Sequence, residues 1–151
     1  IEKILDKKLS YEIWTNKNHN HAVPNGKNYI HRKGATPAEK GERGVIPANM
    51  RDGSYLVIGK GNSKFLNSSS HGAGRKLSRT EAKKKITMKK FREDMKGITG
   101  TVEKGTLDEA PDAYKNISKV MDAQKDSVEI VKHLLPIIAL KGSGHKRSKH
   151  D

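Results

Sequence analysis

The chain has 151 residues, no cysteine, 32% hydrophobic and 5% aromatic residues, and 31 basic against 17 acidic side chains, for a formal net charge of +14. That inventory excludes disulfides and thiolate metal sites, fits one domain with a thin core, and calls for an anionic partner, of which nucleic acid is the commonest. No run is apolar enough to span a bilayer and no signal-peptide pattern opens the chain, so a membrane partner is not expected and the cytoplasm is the expected compartment.

Ile4, Leu5 and Leu9 give residues 2–9 a short helical spacing, and Tyr11 to Thr15 reads as a strand. His19 to Val23 and Lys27 to Lys33 flank Pro24-Asn25-Gly26. Asn-Gly between extended segments predicts a hairpin, because both residues accept a positive φ. It would carry His19 and His21 on one arm and His31 on the other. Three imidazoles raise a zinc site of their own, but no acidic or cysteine ligand falls at fitting spacing. Gly34 to Gly44 is polar and loop-like. Val45-Ile46-Pro47 leads through the Asp52-Gly53 turn to a strand over Ser54 to Ile58, and Gly59 to Asn62 turns again.

Ser78-Arg79-Thr80-Glu81 is a capping box. It opens a helix predicted from Arg79 to Lys96, with Ala82, Ile86, Phe91 and Met95 as a sparse apolar stripe and Gly97 as the stop. The solvated face of that helix carries lysines which, with Arg79, can reach RNA phosphates. Ile98 to Val102 reads as a short strand and Ser118 to Gln124 as a short helix. Val128 to Leu135 and Ile137 to Leu140 read as extended, broken at Pro136. Residues 1–142 form one unit and 143–151 a basic tail expected to be disordered. The elements are mixed and do not alternate as βαβ, so the expected fold class is α+β.

The densest chemical signal is Ser70-His71-Gly72-Ala73-Gly74-Arg75. An imidazole is a good nucleophile toward phosphorus and is largely neutral near pH 7. Two glycines let backbone N–H groups approach an anion, and cationic neighbours can neutralise a phosphoryl group in transfer. The same pattern also fits a surface loop before a helix that happens to hold a histidine. No Gly-x-x-x-x-Gly-Lys-Ser/Thr occurs, so a P-loop is set aside. His133, His145 and His150 have no chemical context.

Asn67 to Arg79 resembles the signature of the RtcB family, the GTP-dependent RNA ligases that join 3′-phosphate or 2′,3′-cyclic phosphate ends to 5′-hydroxyl ends. The resemblance continues through His31 to Ala38, Gly44 to Pro47, Met50, Asp52 to Val57, Gly59 to Asn62, Asp108 to Lys115 and Ile138 to Gly142, in family order. It implies that His71 attacks the α-phosphorus of GTP and carries GMP. It also implies that Gly72, Ala73 and Gly74 surround that nucleotide, that Tyr114 packs near the guanine and that Lys141 contacts the guanylate. Pro47, Ala48, Asn49 and Met50 then fall on the nucleotide-binding loop, and Ser54 and Asn20 on nucleotide contacts. His19 falls on a metal-ligand histidine, and Arg75 is assigned to phosphate or RNA. The chain carries Ala48-Asn49 where the family usually has Gly-Ser, and Arg51 where it has glycine.

The family's site holds two manganese ions, and most of their ligands lie upstream of the matching region. The chain opens on Ile1, which leads us to expect a piece of something longer. It would then need the upstream part of the same protein for ligation. The alternative is a basic RNA-binding module that keeps the pocket outline without catalysis.

Overall fold

The computed structural model describes residues 3, 6–8, 10 and 15–142. The helical pattern over residues 2–9, nearly all of the strand expected over 11–15, and the 143–151 tail therefore lie outside the described residues.

Short strands and short helices alternate irregularly, giving the α+β class. β1 (Asn20–Asn25) and β2 (Asn28–Lys33) form the expected hairpin, with Asn25 opposite Asn28. Its two turn residues are therefore Gly26 and Lys27, one step beyond the Asn25-Gly26 pair the sequence suggested. Gly26 takes φ +62, as a two-residue hairpin loop with glycine in first place requires. His21 faces Arg32 and His31 faces Ala22 across the pair, so the two histidines lie on opposite faces of the hairpin.

The polar stretch after Gly34 is not all loop. β3 (Ala35–Pro37) pairs antiparallel with β6 (Ser68–Ser70), and the buried hydroxyls of Thr36 and Ser69 meet at 3.1 Å. No apolar alternation announces either strand. The buried hydroxyl pair satisfies its own polar atoms, which lets so polar a ladder lie inside.

β4 (Arg43–Pro47), β5 (Ser54–Gly59) and β8 (Val128–Leu134) form an antiparallel sheet in the order β4-β5-β8. Tyr55 and Val57 alternate inward from β5 and pack with Ile46 and Val128 beneath Ile117 and Met121 of α3 (Ile117–Ala123). Gly53 tightens the β4–β5 turn at φ +74, and a Cβ there would lie 1.9 Å from the carbonyl oxygen of Leu134. Only glycine lets that turn pass under the end of β8. Among the described residues β8 is an edge strand, and Ile130, Val131 and Leu134 on it are exposed.

The helix expected over Arg79 to Lys96 is two helices, α1 (Arg79–Lys85) and α2 (Met88–Asp94). The Ser78–Glu81 capping box forms as read. Ile86 then turns extended, and Thr87 caps α2 by accepting a hydrogen bond from the Lys90 N–H. Two β-branched residues in succession favour extended backbone, and threonine serves better as a cap than inside a helix. The break keeps Ala82, Ile86, Phe91 and Met95 on one core, where they meet Met50, Leu107, Ala110 and Ala113. Leu107 lies in a 3-10 segment over Lys104–Glu109 and Ala113 in another over Pro111–Ala113, with Ala110 at the junction between them. β7 (Thr99–Gly100) pairs parallel with β9 (Ile138–Ala139), past the break at Pro136. Among the described residues no helix is long and apolar enough to cross a membrane.

Candidate active site

His71 follows β6 directly, opposite Gly34 at the start of β3. Its backbone N–H donates to the Gly34 carbonyl at 3.2 Å, and its Nδ1 lies 2.8 Å from the same oxygen. A carbonyl only accepts, so Nδ1 carries the proton and the neutral ring keeps its lone pair on Nε2. The His19 ring stacks on His71 with centroids 5.1 Å apart, and the Gly34 N–H donates to the His19 carbonyl at 3.1 Å.

The loop after His71 lies against the end of β4. Ala73 N–H donates to the Pro47 carbonyl at 3.0 Å, and a Cβ on Gly72 would come within 2.9 Å of that oxygen. Backbone thus approaches backbone beside a cavity of about 700 Å³. Pro47, Ala48, Asn49, Met50 and Ser54 line one part of it, and His71, Gly72, Ala73, Gly74 and Arg75 another. Tyr114 and Lys141 complete the set, with Pro136, Ile138 and Leu140 as an apolar margin. His19 and Asn20 stand outside this lining, and His19 reaches the site only through its stack on His71.

The departures from the family pattern have a local account. Asn49 Oδ1 accepts from the N–H groups of Arg51 and Asp52, both at 2.9 Å, and its Nδ2 donates to Asp52 Oδ2 at 2.8 Å. One amide hydrogen of Asn49 is left for a ligand. Arg51 turns away, donating to Asp52 at 2.7 Å and Asp94 at 3.0 Å. Its hydrogen bond holds the Asp52 carboxyl below the ordinary range, against burial. Ala48 still closes the turn, donating to Gly53 at 2.8 Å. His133, which carried no context in the sequence, stacks on Tyr55 at 4.2 Å and donates from Nε2 to the Asp52 carbonyl at 2.7 Å. It braces this turn from β8.

Arg75 is held by protein groups. Its Nε donates to the Leu77 carbonyl at 3.0 Å and its Nη1 to the Tyr114 hydroxyl at 3.2 Å, while Nη2 donates to the Asp108 carbonyl. The guanidinium also lies 4.9 Å from the Tyr114 ring centre. Arg75 therefore fixes Tyr114. Arg79, in the first turn of α1, lines the cavity and binds both Asp108 and Glu109. Glu109 has no role in the sequence reading, although it stands inside the quoted Asp108 to Lys115 motif. It accepts from the Tyr114 hydroxyl at 2.7 Å and from Arg79 at 2.7 Å.

Burial pushes the Glu109 carboxyl up, but the Tyr114 hydrogen bond and the charges of Lys141 and Arg79 outweigh it and hold it below the ordinary value. Asp108 is lowered in the same way, burial being overcome by Arg79 and Lys83. Burial and then Glu109 push the Tyr114 phenol up to about 12, so it stays a neutral donor. Carboxylates lowered on folding stabilise the protein above their unfolded values, 3.8 for Asp and 4.5 for Glu, and that stability is lost as pH falls through the folded values. Thermal melts should therefore be level above about pH 5 and fall steeply below about pH 4. A melting temperature unchanged down to about pH 3 would contradict the network.

Among the described residues no group of three or more His, Asp or Glu side chains is placed to hold a metal ion. His19 is a single imidazole with no carboxylate beside it, so a manganese pair does not fit the residues present here on their own.

The family model described as tRNA-splicing ligase RtcB matches residues 1–142. The chain is 43% identical over 118 residues to the RNA-splicing ligase RtcB of Escherichia coli (strain K12), an alignment covering 76% of this chain and 28% of that protein. It is 35% identical over 134 residues to the tRNA-splicing ligase RtcB of Nanoarchaeum equitans, covering 75% of this chain and 28% of that one. It is 34% identical over 166 residues to the RNA-splicing ligase RtcB homolog 1 of Entamoeba histolytica, covering 93% and 32%. The chain thus spans about a third or less of the length of these curated relatives. A match that runs through the His71 loop, the Pro47 turn and the Tyr114 segment in one order places the chain in the RtcB family.

Proposed function

We propose that this chain carries the guanylyl-transfer centre of a GTP-dependent RNA ligase, with RNA ends as its substrates. The observation that carries the reading is the Nδ1–Gly34 hydrogen bond, which leaves Nε2 as the free nucleophile on a residue lining the cavity. Nε2 attacks the α-phosphorus of GTP. The N–P bond forms as the bond to the bridging oxygen breaks, and pyrophosphate leaves with that electron pair. The ring becomes cationic and keeps its Nδ1 proton, so the Gly34 carbonyl binds it more strongly as the bond forms. The guanylate then passes to an RNA 3′-phosphate, restoring His71, and attack by a 5′-hydroxyl releases GMP.

Tyr114 offers a flat ring with a polar tip to the guanine, and Lys141 a cation to the guanylate. Gly72, Ala73 and Gly74 bring backbone N–H groups to the phosphate, beside Pro47 to Met50 and Ser54. Asn20 and the metal-ligand role of His19 complete the assignment. Manganese, held mostly by ligands from elsewhere in the protein, would assist departure of pyrophosphate.

The isolated 151 residues should therefore show little labelling with α-labelled GTP and Mn²⁺. Acid-labile label should appear when the rest of the protein is supplied as a separate polypeptide. Robust labelling by the 151 residues alone would refute the dependence on the missing part. The net charge of +14 also suits a basic RNA-binding module without catalysis, for which nucleotide labelling never appears under either condition.

A further inference from the structure

Glu109 lies where four separate parts of the pocket converge. Its Oε2 accepts from the Tyr114 hydroxyl at 2.7 Å and faces Lys141 Nζ at 3.4 Å. Its Oε1 accepts from Arg79 Nη1 at 2.7 Å and lies 3.7 Å from Arg75 Nη1. The side chain is only 15% exposed. Arg75 comes from the loop after His71, Arg79 from the first turn of α1, and Lys141 from the segment after β9.

That last segment has few other ties. β9 is two residues long and pairs with β7, and the Lys141 N–H donates to Thr101 Oγ1 at 3.4 Å. A lysine has a flexible four-carbon stem, and holding its ammonium at one place costs conformational entropy. Glu109 supplies the counter-charge that sets it there before any ligand arrives. The ammonium has three N–H donors, so facing one carboxylate leaves donors for a phosphate. Arg75, Arg79, Lys83 and Lys141 stand against Glu109 and Asp108, which leaves the corner net positive, so an anion is not repelled.

We propose that Glu109 is the positioning residue of the pocket, a single carboxylate that presets both the Tyr114 ring and the Lys141 ammonium for a guanylate. This rests on reading the cavity as a nucleotide site. Glu109 acts through its neighbours and needs no contact with the nucleotide itself.

The test is a double-mutant cycle on GMP affinity, measured by titration calorimetry on the complete protein. Glu109→Gln removes the charge and keeps one acceptor oxygen, which can still serve the Tyr114 hydroxyl, while its amide NH2 takes the place of the oxygen that accepts from Arg79. Glu109→Gln and Lys141→Met should each weaken GMP by about tenfold, and the double variant should bind about as weakly as either single one. Thermal melts of each variant give the loss of fold separately from the loss of affinity. A purely structural role would lower the melting temperature and leave the two substitutions additive for GMP. Additive losses, or a Glu109→Gln variant that binds GMP as tightly as the unsubstituted chain, overturn the positioning role while the nucleotide reading stands. No GMP binding by the unsubstituted complete protein overturns the nucleotide reading, and this assignment with it.

Discussion

His71→Ala should remove covalent GMP from the complete protein, by roughly a millionfold in the labelling rate, the scale seen when a nucleophile is deleted outright. The reason is local. Nε2 is the ring nitrogen left free once Nδ1 donates to Gly34, and methyl in place of imidazole offers no lone pair to phosphorus. The backbone bond from position 71 to Gly34 does not depend on the side chain, so β3 and β6 should stay paired. RNA affinity should be nearly unchanged, since it rests on basic side chains elsewhere. The measurement is α-labelled GTP with Mn²⁺, read as acid-labile protein label, alongside an RNA-binding titration. Label that survives His71→Ala would move the nucleophile to another residue. Loss of label together with loss of RNA affinity would point to a damaged fold.

Phe91→Ala should give the largest loss of stability. The ring is 0% exposed and sits in the core that joins Ala82 and Ile86 of the α1 end to Met50, Ala110 and Ala113. Emptying such a site costs about 3–5 kcal/mol, a large share of the ~5–15 kcal/mol that holds a domain of this kind together. The melting temperature should fall by roughly 10 °C. Ala110 and Ala113 lie between Glu109 and Tyr114 in the chain, each next to one of them, so GMP binding should weaken below the melting range too. A loss under about 1 kcal/mol in urea titration would mean that this core collapses around the gap and does not brace the pocket.

The parts of the fold that were legible in the sequence are those whose signals are local. The Asp52-Gly53 turn and the β5 strand after it, the β1–β2 hairpin, the Ser78 capping box and the break at Pro136 each follow from a few neighbouring residues. β3 and β6 were not legible, because Ala35-Thr36-Pro37 and Ser68-Ser69-Ser70 have no apolar period and are held by each other. The division between α1 and α2 was hidden because Ile86 fits the helical stripe and buries on the same core after the helix has ended.

At the site, the resemblance selected residues that the structure gathers around one cavity, from Pro47 to Lys141. Asn20 does not join that lining. Glu109 was missed for the opposite reason, since its meaning lies in partners 5, 30, 32 and 34 residues away along the chain, and a carboxylate in a motif carries no mark of what it will touch.

The open side of β8 has a consequence for handling the polypeptide. Among the described residues one side of β8 has no strand partner, and that edge, flanked by Ile130, Val131 and Leu134, is a template on which a foreign strand can be laid. What keeps two copies apart is mutual repulsion between molecules bearing +14 each. Added electrolyte shortens the reach of that repulsion and leaves the oily edge as sticky as before. The polypeptide should therefore stay dispersed in dilute buffer and cloud as ionic strength is raised, which turbidity against added salt would show.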